Sequence, residues 1–178
     1  MKKCLHIRLI FVVFVFLLFP GNILAESPAK FLQLSLFPPV QIQKQETSIH
    51  GLRIDLIYGY NQDFKGLDIG LVNRLNGDMK GLEIGVANFV RGNATGVQAG
   101  FYNQAQDFKG FQLGALNTSQ KTKGFQLGIM NSATSMEGLQ LGLLYNSTDT
   151  LRGIQIGLFN FIWNRTPIYF FPIVNAAF

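Results

Sequence analysis

Apolar and polar residues alternate over most of the chain. In GLQLGLL at 138–144, Leu139, Leu141 and Leu143 point to one side of an extended strand, and Gly138, Gln140 and Gly142 to the other. The split recurs as Leu67/Ile69/Leu71 and Ile154/Ile156/Leu158. This period of two predicts strands with one aliphatic face and one face of glycine, a polar residue and glycine. A helix is excluded, because two glycines in so short a stretch would each cost it about 1 kcal/mol relative to alanine. The aliphatic face is expected to supply the core. Gln98, Gln112, Gln126, Gln140 and Gln155, with Asp68 and Glu83, then form an outward polar stripe, a candidate binding strip.

These strands recur at a fixed interval. Units begin at Gly51, Gly66, Gly81, Gly96, Gly110, Gly124, Gly138 and Gly153, 14 or 15 residues apart. A second glycine follows four residues later in seven of the eight, at Gly70, Gly85, Gly100, Gly114, Gly128, Gly142 and Gly157; the first unit carries Asp55 instead. Asparagine lies seven residues after the first glycine at Asn73, Asn88, Asn103, Asn117, Asn131 and Asn160, and one place later at Asn146. Asparagine suits a corner, because its side chain bonds nearby backbone and it tolerates left-handed conformations. Stacked at equivalent corners, such amides form a ladder. Beyond it the pattern weakens but persists. Leu75, Val90, Ala105, Ser119 and Ala133 lie two places after the asparagine, and Phe64, Met79, Ala94, Phe108, Met136 and Leu151 two places before the next glycine. Such a period marks a stack of units, none of which buries enough apolar surface alone.

The repeat domain spans 51–165. Residues 26–50 read as N-terminal strands around Pro38-Pro39 that close one end, and 166–178 as an aromatic cap on the other. Residues 1–25 read as a signal peptide. Lys2, Lys3 and Arg8 precede the apolar run Leu9 to Phe19, and Ile23-Leu24-Ala25 offers a cleavage site. That run would rise only about 16 Å as a helix, too short for a ~30 Å hydrocarbon core. Export is therefore expected, to the cell surface or outer membrane, with periplasm or medium as alternatives. Cleavage removes three of the 15 Lys+Arg and none of the 10 Asp+Glu, so the formal charge falls from +5 to +2. That balance gives no argument for nucleic acid as a partner.

Two architectures fit. In a β-solenoid each unit is one coil, and the weaker segment returns along a second wall with Ala105, Phe108 and their equivalents inside. In an up-and-down β-barrel or twisted antiparallel meander each unit is one strand and a turn, and the terminal Phe178 suits an outer-membrane barrel with a pore or structural role. The barrel would crowd its lumen with glycine or place glutamine against lipid. An all-β solenoid is the preferred fold.

Chemistry is sparse. The single cysteine, Cys4, lies in the signal, and His50 is alone after it, so neither a metal site nor a nucleophile–base pair is expected. Asp63, Asp68, Asp78, Glu83, Asp107 and Asp149 are spread over separate units. The chain is read as non-enzymatic and without a cofactor. Lys65, Lys80, Lys109, Lys123 and Arg152, each immediately before a first glycine, suit anionic glycan or lipopolysaccharide phosphates, or serve as a charged rim that blocks edge association. The expected partner is an envelope or host-surface polymer or protein of unknown identity, with outer-membrane association as a further option.

The run from PPVQI through GLRIDLIYGYNQDFKGLDIGLVN, GFQLGIMN and GLQLGLLYN to FFPIVNAAF resembles the bacterial surface-repeat proteins best known from spirochaetes. Their hallmark is a tandem G-[LFVW]-Q-[IL]-G-[LF]-[VIL]-N unit after a signal peptide. The resemblance covers about residues 32–178 and implies export and a surface or outer-membrane location; export and repetition without a chemical constellation point to a structural or adhesive binding scaffold. It offers no catalytic or binding residues to carry over. Asp55 for glycine and Tyr145 displacing asparagine depart from the pattern, and read as edge and bulge variation.

Overall fold

The computed structural model describes residues 28–178, so the signal-peptide reading of 1–25 lies outside it. The described chain is a β-solenoid. Its strands are β1 (Lys30–Phe37), β2 (Val40–Gln41), β3 (Ile49–Asn61), β4 (Phe64–Leu75), β5 (Met79–Ala99), β6 (Tyr102–Ile162) and β7 (Phe170–Ala177). They lie in one sheet in the order β2-β1-β3-β4-β5-β6-β7. β6 is long because it runs on through successive coils. Equivalent residues pair in parallel, Gly51 with Gly66, Gly66 with Gly81, Gly96 with Gly110. This parallel register is incompatible with an up-and-down barrel or antiparallel meander, in which sequential strands alternate direction.

The first glycine of each unit has a backbone that only glycine adopts readily, with φ between +129° and +149°. In each coil from Gly66 to Gly153 a Cβ there would also collide with the carbonyl oxygen of the preceding coil's first glycine. Eight such glycines stack on one another along the solenoid.

The interior reverses the expectation for the glycine-bearing strand. Glycine and the polar residue between the glycines face inward, and the aliphatic residues face outward. Gln98, Gln112, Gln126, Gln140 and Gln155 are completely buried, as are Asp68 and Glu83. The outward polar stripe is therefore corrected to an inward one. The second glycine explains the choice. A Cβ on Gly85 would lie within 2.8 Å of the amides of Asn88 and Asn73, and one on Gly128 within 3.0 Å of Asn117 and Asn131. The corner asparagine folds back over the missing side chain, so that face must be inside. On the other wall Phe64, Leu75, Met79, Val90, Ala94, Ala105 and Phe108 are buried and, with Ile49, make a continuous core cluster.

Added strands close both ends. β1 adds in parallel to β3 and is backed by antiparallel β2. At the other end β7 adds antiparallel to the last coil, Phe161 pairing with Phe170 and Gly153 with Ala177.

Candidate interaction surface

Inside, two amide columns run the length of the stack. Each corner asparagine donates from Nδ2 to Oδ1 of the next, from Asn73 through Asn88, Asn103, Asn117, Asn131 and Asn146 to Asn160, at 2.8–2.9 Å. Asn146 takes its place despite Tyr145, so the displaced asparagine is a one-residue bulge. Each Nδ2 from Asn73 to Asn146 also donates to a backbone carbonyl of the following coil, and Asn160 finds its equivalent in Phe171 O of the capping strand. The glutamines pair the opposite way. Gln155 donates to Gln140, Gln140 to Gln126, Gln126 to Gln112, Gln112 to Gln98 and Gln98 to Glu83, at 2.7–2.9 Å. Asn175 of β7 terminates this column by donating to Gln155.

The donor end of the glutamine column meets a buried charge cluster that sequence reasoning did not assemble. Arg53 occupies the glutamine position of the first coil. Its guanidinium donates to Asp68 Oδ2 at 2.5 Å and lies 3.1 Å from Asp55 Oδ2 and 4.0 Å from Glu83 Oε1, all with fully buried side chains. Burial works against the arginine's charge, but Asp68, Asp55 and Glu83 more than offset it and raise its pKa. Burial pushes the Glu83 carboxyl up to about 8, with Asp68 adding repulsion, against the opposing pull of Arg53 and the Gln98 amide. Asp55 is pushed up to about 7, again chiefly by burial. Asp68 is likewise raised by burial, with Arg53 opposing. Asp55 and Glu83 thus hold protons well above the usual carboxylate range, and Asp68 is shifted in the same direction. Asp55 also explains the first unit's departure. A side chain at Gly59 would collide with the Asp55 carboxylate, so this coil puts its acid where later coils have glycine and its glycine where they have asparagine. With its hydrogen bonds satisfied internally, the glutamine stripe has no exposed edge for a partner.

What the fold presents outward is the aliphatic face. Two columns run in register, Leu52, Leu67 and Leu82 beside Ile54, Ile69 and Ile84, continued by Val97, Phe111, Phe125, Leu139 and Ile154 and by Ala99, Leu113, Leu127, Leu141 and Ile156. A third adds Leu71, Val86, Phe101, Ala115, Ile129, Leu143 and Leu158. With Leu56 these 24 positions carry no charged or polar side chain. Many are widely open to solvent, Leu143 at 72% and Phe101 at 62%. Phe111 and Phe125 stack on the face at 4.6 Å between ring centroids. With strands about 4.8 Å apart and 3.3 Å per residue, the eight units make a flat patch roughly 34 Å by 13 Å before side-chain overhang. β1 extends it with Leu32 and Leu34, and β2 flanks it there to leave an apolar groove of about 560 Å³ lined by Leu34, Leu36, Pro39, Val40, Ile42 and Leu56.

The border is ordered by charge. Immediately before the eight first glycines stand His50, Lys65, Lys80, Thr95, Lys109, Lys123, Glu137 and Arg152, all of them exposed. Two residues further from the apolar face stand Asp63, Asp78, Asn93, Asp107, Lys121, Ser135 and Thr150. Apolar columns are thus bordered first by a mainly basic column and then by a column richer in acids. A separate hollow of about 520 Å³ involves Arg74 and Arg91, but both are engaged, Arg74 over the Tyr60 ring at 5.4 Å and Arg91 on Asn76 Oδ1 at 3.1 Å.

Alternation locates the apolar columns but assigns them to the core. The signal that reverses the assignment is the asparagine three residues after the second glycine. In comparisons with family models, curated proteins and solved structures the chain finds no match, so the function of this surface is argued from its own geometry.

Proposed function

We propose that the chain is an exported, non-enzymatic scaffold of the bacterial envelope that acts through its outward apolar sheet face. One observation carries this reading: 24 consecutive outward positions, three per coil over eight coils, are apolar on a face left uncovered by the rest of the described chain. A face of about 440 Å² before side-chain overhang matches the largest apolar patch of a typical soluble monomer, and patches of that rank are often sites of association. The rigid amide columns beneath it hold it flat. The likeness to surface-repeat proteins and the basic, apolar start of the chain support an envelope location. Catalysis has no convergent set of groups to use among the described residues, because the titratable cluster at Arg53 is sealed in the interior.

The test is envelope retention. The full chain is expressed with its own leader in a Gram-negative host, and cells are fractionated. The wild type is expected with the envelope, and the triple variant Ile69→Ser, Ile84→Ser, Leu127→Ser in the soluble fraction, with an unchanged β-type circular dichroism spectrum. A folded triple variant that stays with the envelope as fully as the wild type would overturn the reading.

A further inference from the structure

We propose that the occupant of the apolar face is an anionic phospholipid bilayer surface, on which the solenoid lies flat with its long axis in the membrane plane. This rests on the reading of the face as the functional surface and names its partner. Charge complementarity points to this occupant. Lys65, Lys80, Lys109, Lys123 and Arg152 stand in one column beside the apolar residues, against one acid, Glu137. Like charges stacked in direct register repel one another, so the column needs a compensating counter-charge. Lys123 finds one in Glu137 at 3.0 Å. Lys65, Lys80 and Lys109 have no ion-pair partner among the described residues.

An interface that enters a bilayer meets acyl chains first, then anionic headgroups, then water. The protein presents the same order laterally: aliphatic columns, then the basic column, then the column holding Asp63, Asp78 and Asp107. Lysine stems can lie along the apolar border while their ammonium groups reach phosphate. This is the amphipathic logic of interfacial helices, carried by a sheet.

A second copy fits less well. In a face-to-face pair with a two-fold axis in the plane, the basic column meets either its own copy or the opposite border. That border carries Val72, Ala87, Tyr102, Leu116, Met130 and Phe159, with no acid. Neither arrangement neutralises the lysines, whereas anionic headgroups do.

The experiment is vesicle flotation of the full chain after removal of 1–25. The vesicles are either phosphatidylcholine alone or phosphatidylcholine with a minority of phosphatidylglycerol. Binding is expected to the mixed vesicles, to weaken with added salt, and to fall about 30-fold in Lys80→Ser/Lys109→Ser, at roughly fivefold per lysine near an anionic surface. Equal binding to both vesicle types, or no effect of the lysine pair, would overturn the anionic-lipid assignment while leaving the apolar face as the functional surface. A face-dependent dimer in sedimentation equilibrium with no flotation would assign the face to a second copy and equally overturn it. Flotation unchanged in the folded Ile69/Ile84/Leu127 serine variant would instead refute the underlying reading of the face.

Discussion

Replacing Gln126 with leucine isolates what the glutamine column contributes. Gln126 is fully buried, donates to Gln112 Oε1 at 2.8 Å and accepts from Gln140 Nε2 at 2.8 Å. Leucine breaks both bonds and restores neither. Gln112 Oε1 is left with no donor. Gln140 Nε2 keeps only Ser147 O at 3.4 Å, and so is poorly satisfied. An orphaned buried polar group costs about 1–3 kcal/mol. Two of them, one partly relieved, sum to roughly 2–5 kcal/mol. The assay is urea unfolding of the chain after removal of 1–25, read from the shift in midpoint with the slope required to stay constant. A leucine variant within about 0.5 kcal/mol of wild type would show that the column is not a stabilising network, since that is the range of neutral surface changes.

The variant Gln126→Glu gives a second, sharper readout. While protonated, the introduced carboxyl donates to Gln112 and accepts from Gln140, as the native amide does. Once ionised, it presents oxygen to oxygen and buries a charge. Burial raises its folded pKa above the unfolded value near 4.3, so the folded state binds more protons between the two values and stability falls as pH rises through that window. Gln126→Glu is expected to match wild type near pH 4 and to lose up to about 1.4 kcal/mol per pH unit relative to it above that. A constant difference from pH 4 to 8 would refute the inward, self-paired geometry.

Other outcomes follow from the same structure. The wild type itself should lose stability as pH rises from about 4 toward 8, because Asp55 and Glu83 have folded pKa values raised to about 7 and about 8 and so release protons more readily when unfolded. Asp55→Asn and Glu83→Gln should each flatten that dependence, and thermal melts across the range check it; an unchanged slope in both would contradict the cluster. Gly110→Ala should prevent folding or cost several kcal/mol, because it combines φ of +134° with a Cβ driven into Gly96 O. Gly77→Ala should cost less, since the first atom it meets is the movable Asp63 carboxylate, and circular dichroism compares the two. Deleting 166–178 removes β7, strips Phe171 O from Asn160 and Asn175 from Gln155, and leaves a parallel edge open. Light scattering should then show aggregation; a soluble monomeric truncation would sink the capping role.

The coil length, the corner asparagines and the residues of the far wall are all legible in the amino-acid sequence, for one reason. In a stack each residue meets its own copy, so any position that matters repeats at 14 or 15 residues. Asn88 and Asn103 are written alike because they touch at 2.8 Å. Periodicity does not, however, say which side of an alternating strand is inside. Hydrophobicity ordinarily breaks that tie, and here it points the wrong way, because the inner polar residues satisfy one another. A glutamine alone in a core is a liability; a glutamine between two glutamines at the spacing of parallel strands has a donor below and an acceptor above. The burial penalty that keeps amides out of ordinary cores is thereby cancelled along the whole column, and is felt only where the column ends. Those ends are the least regular positions in the chain. Arg53, Asp55, Asp68 and Glu83 replace glutamine, glycine, glutamine and glutamine at one end, and Asn175 arrives from an antiparallel strand at the other. Their departures from the repeat resemble drift, yet Glu83 and Asn175 supply the column with the acceptor and the donor that a further identical coil would have supplied. Once the amides are accepted as interior, the second glycine becomes compulsory and the aliphatic columns are left with nowhere to go but out. The apolar face is therefore not an uncovered core but the outer surface that an inward amide ladder requires.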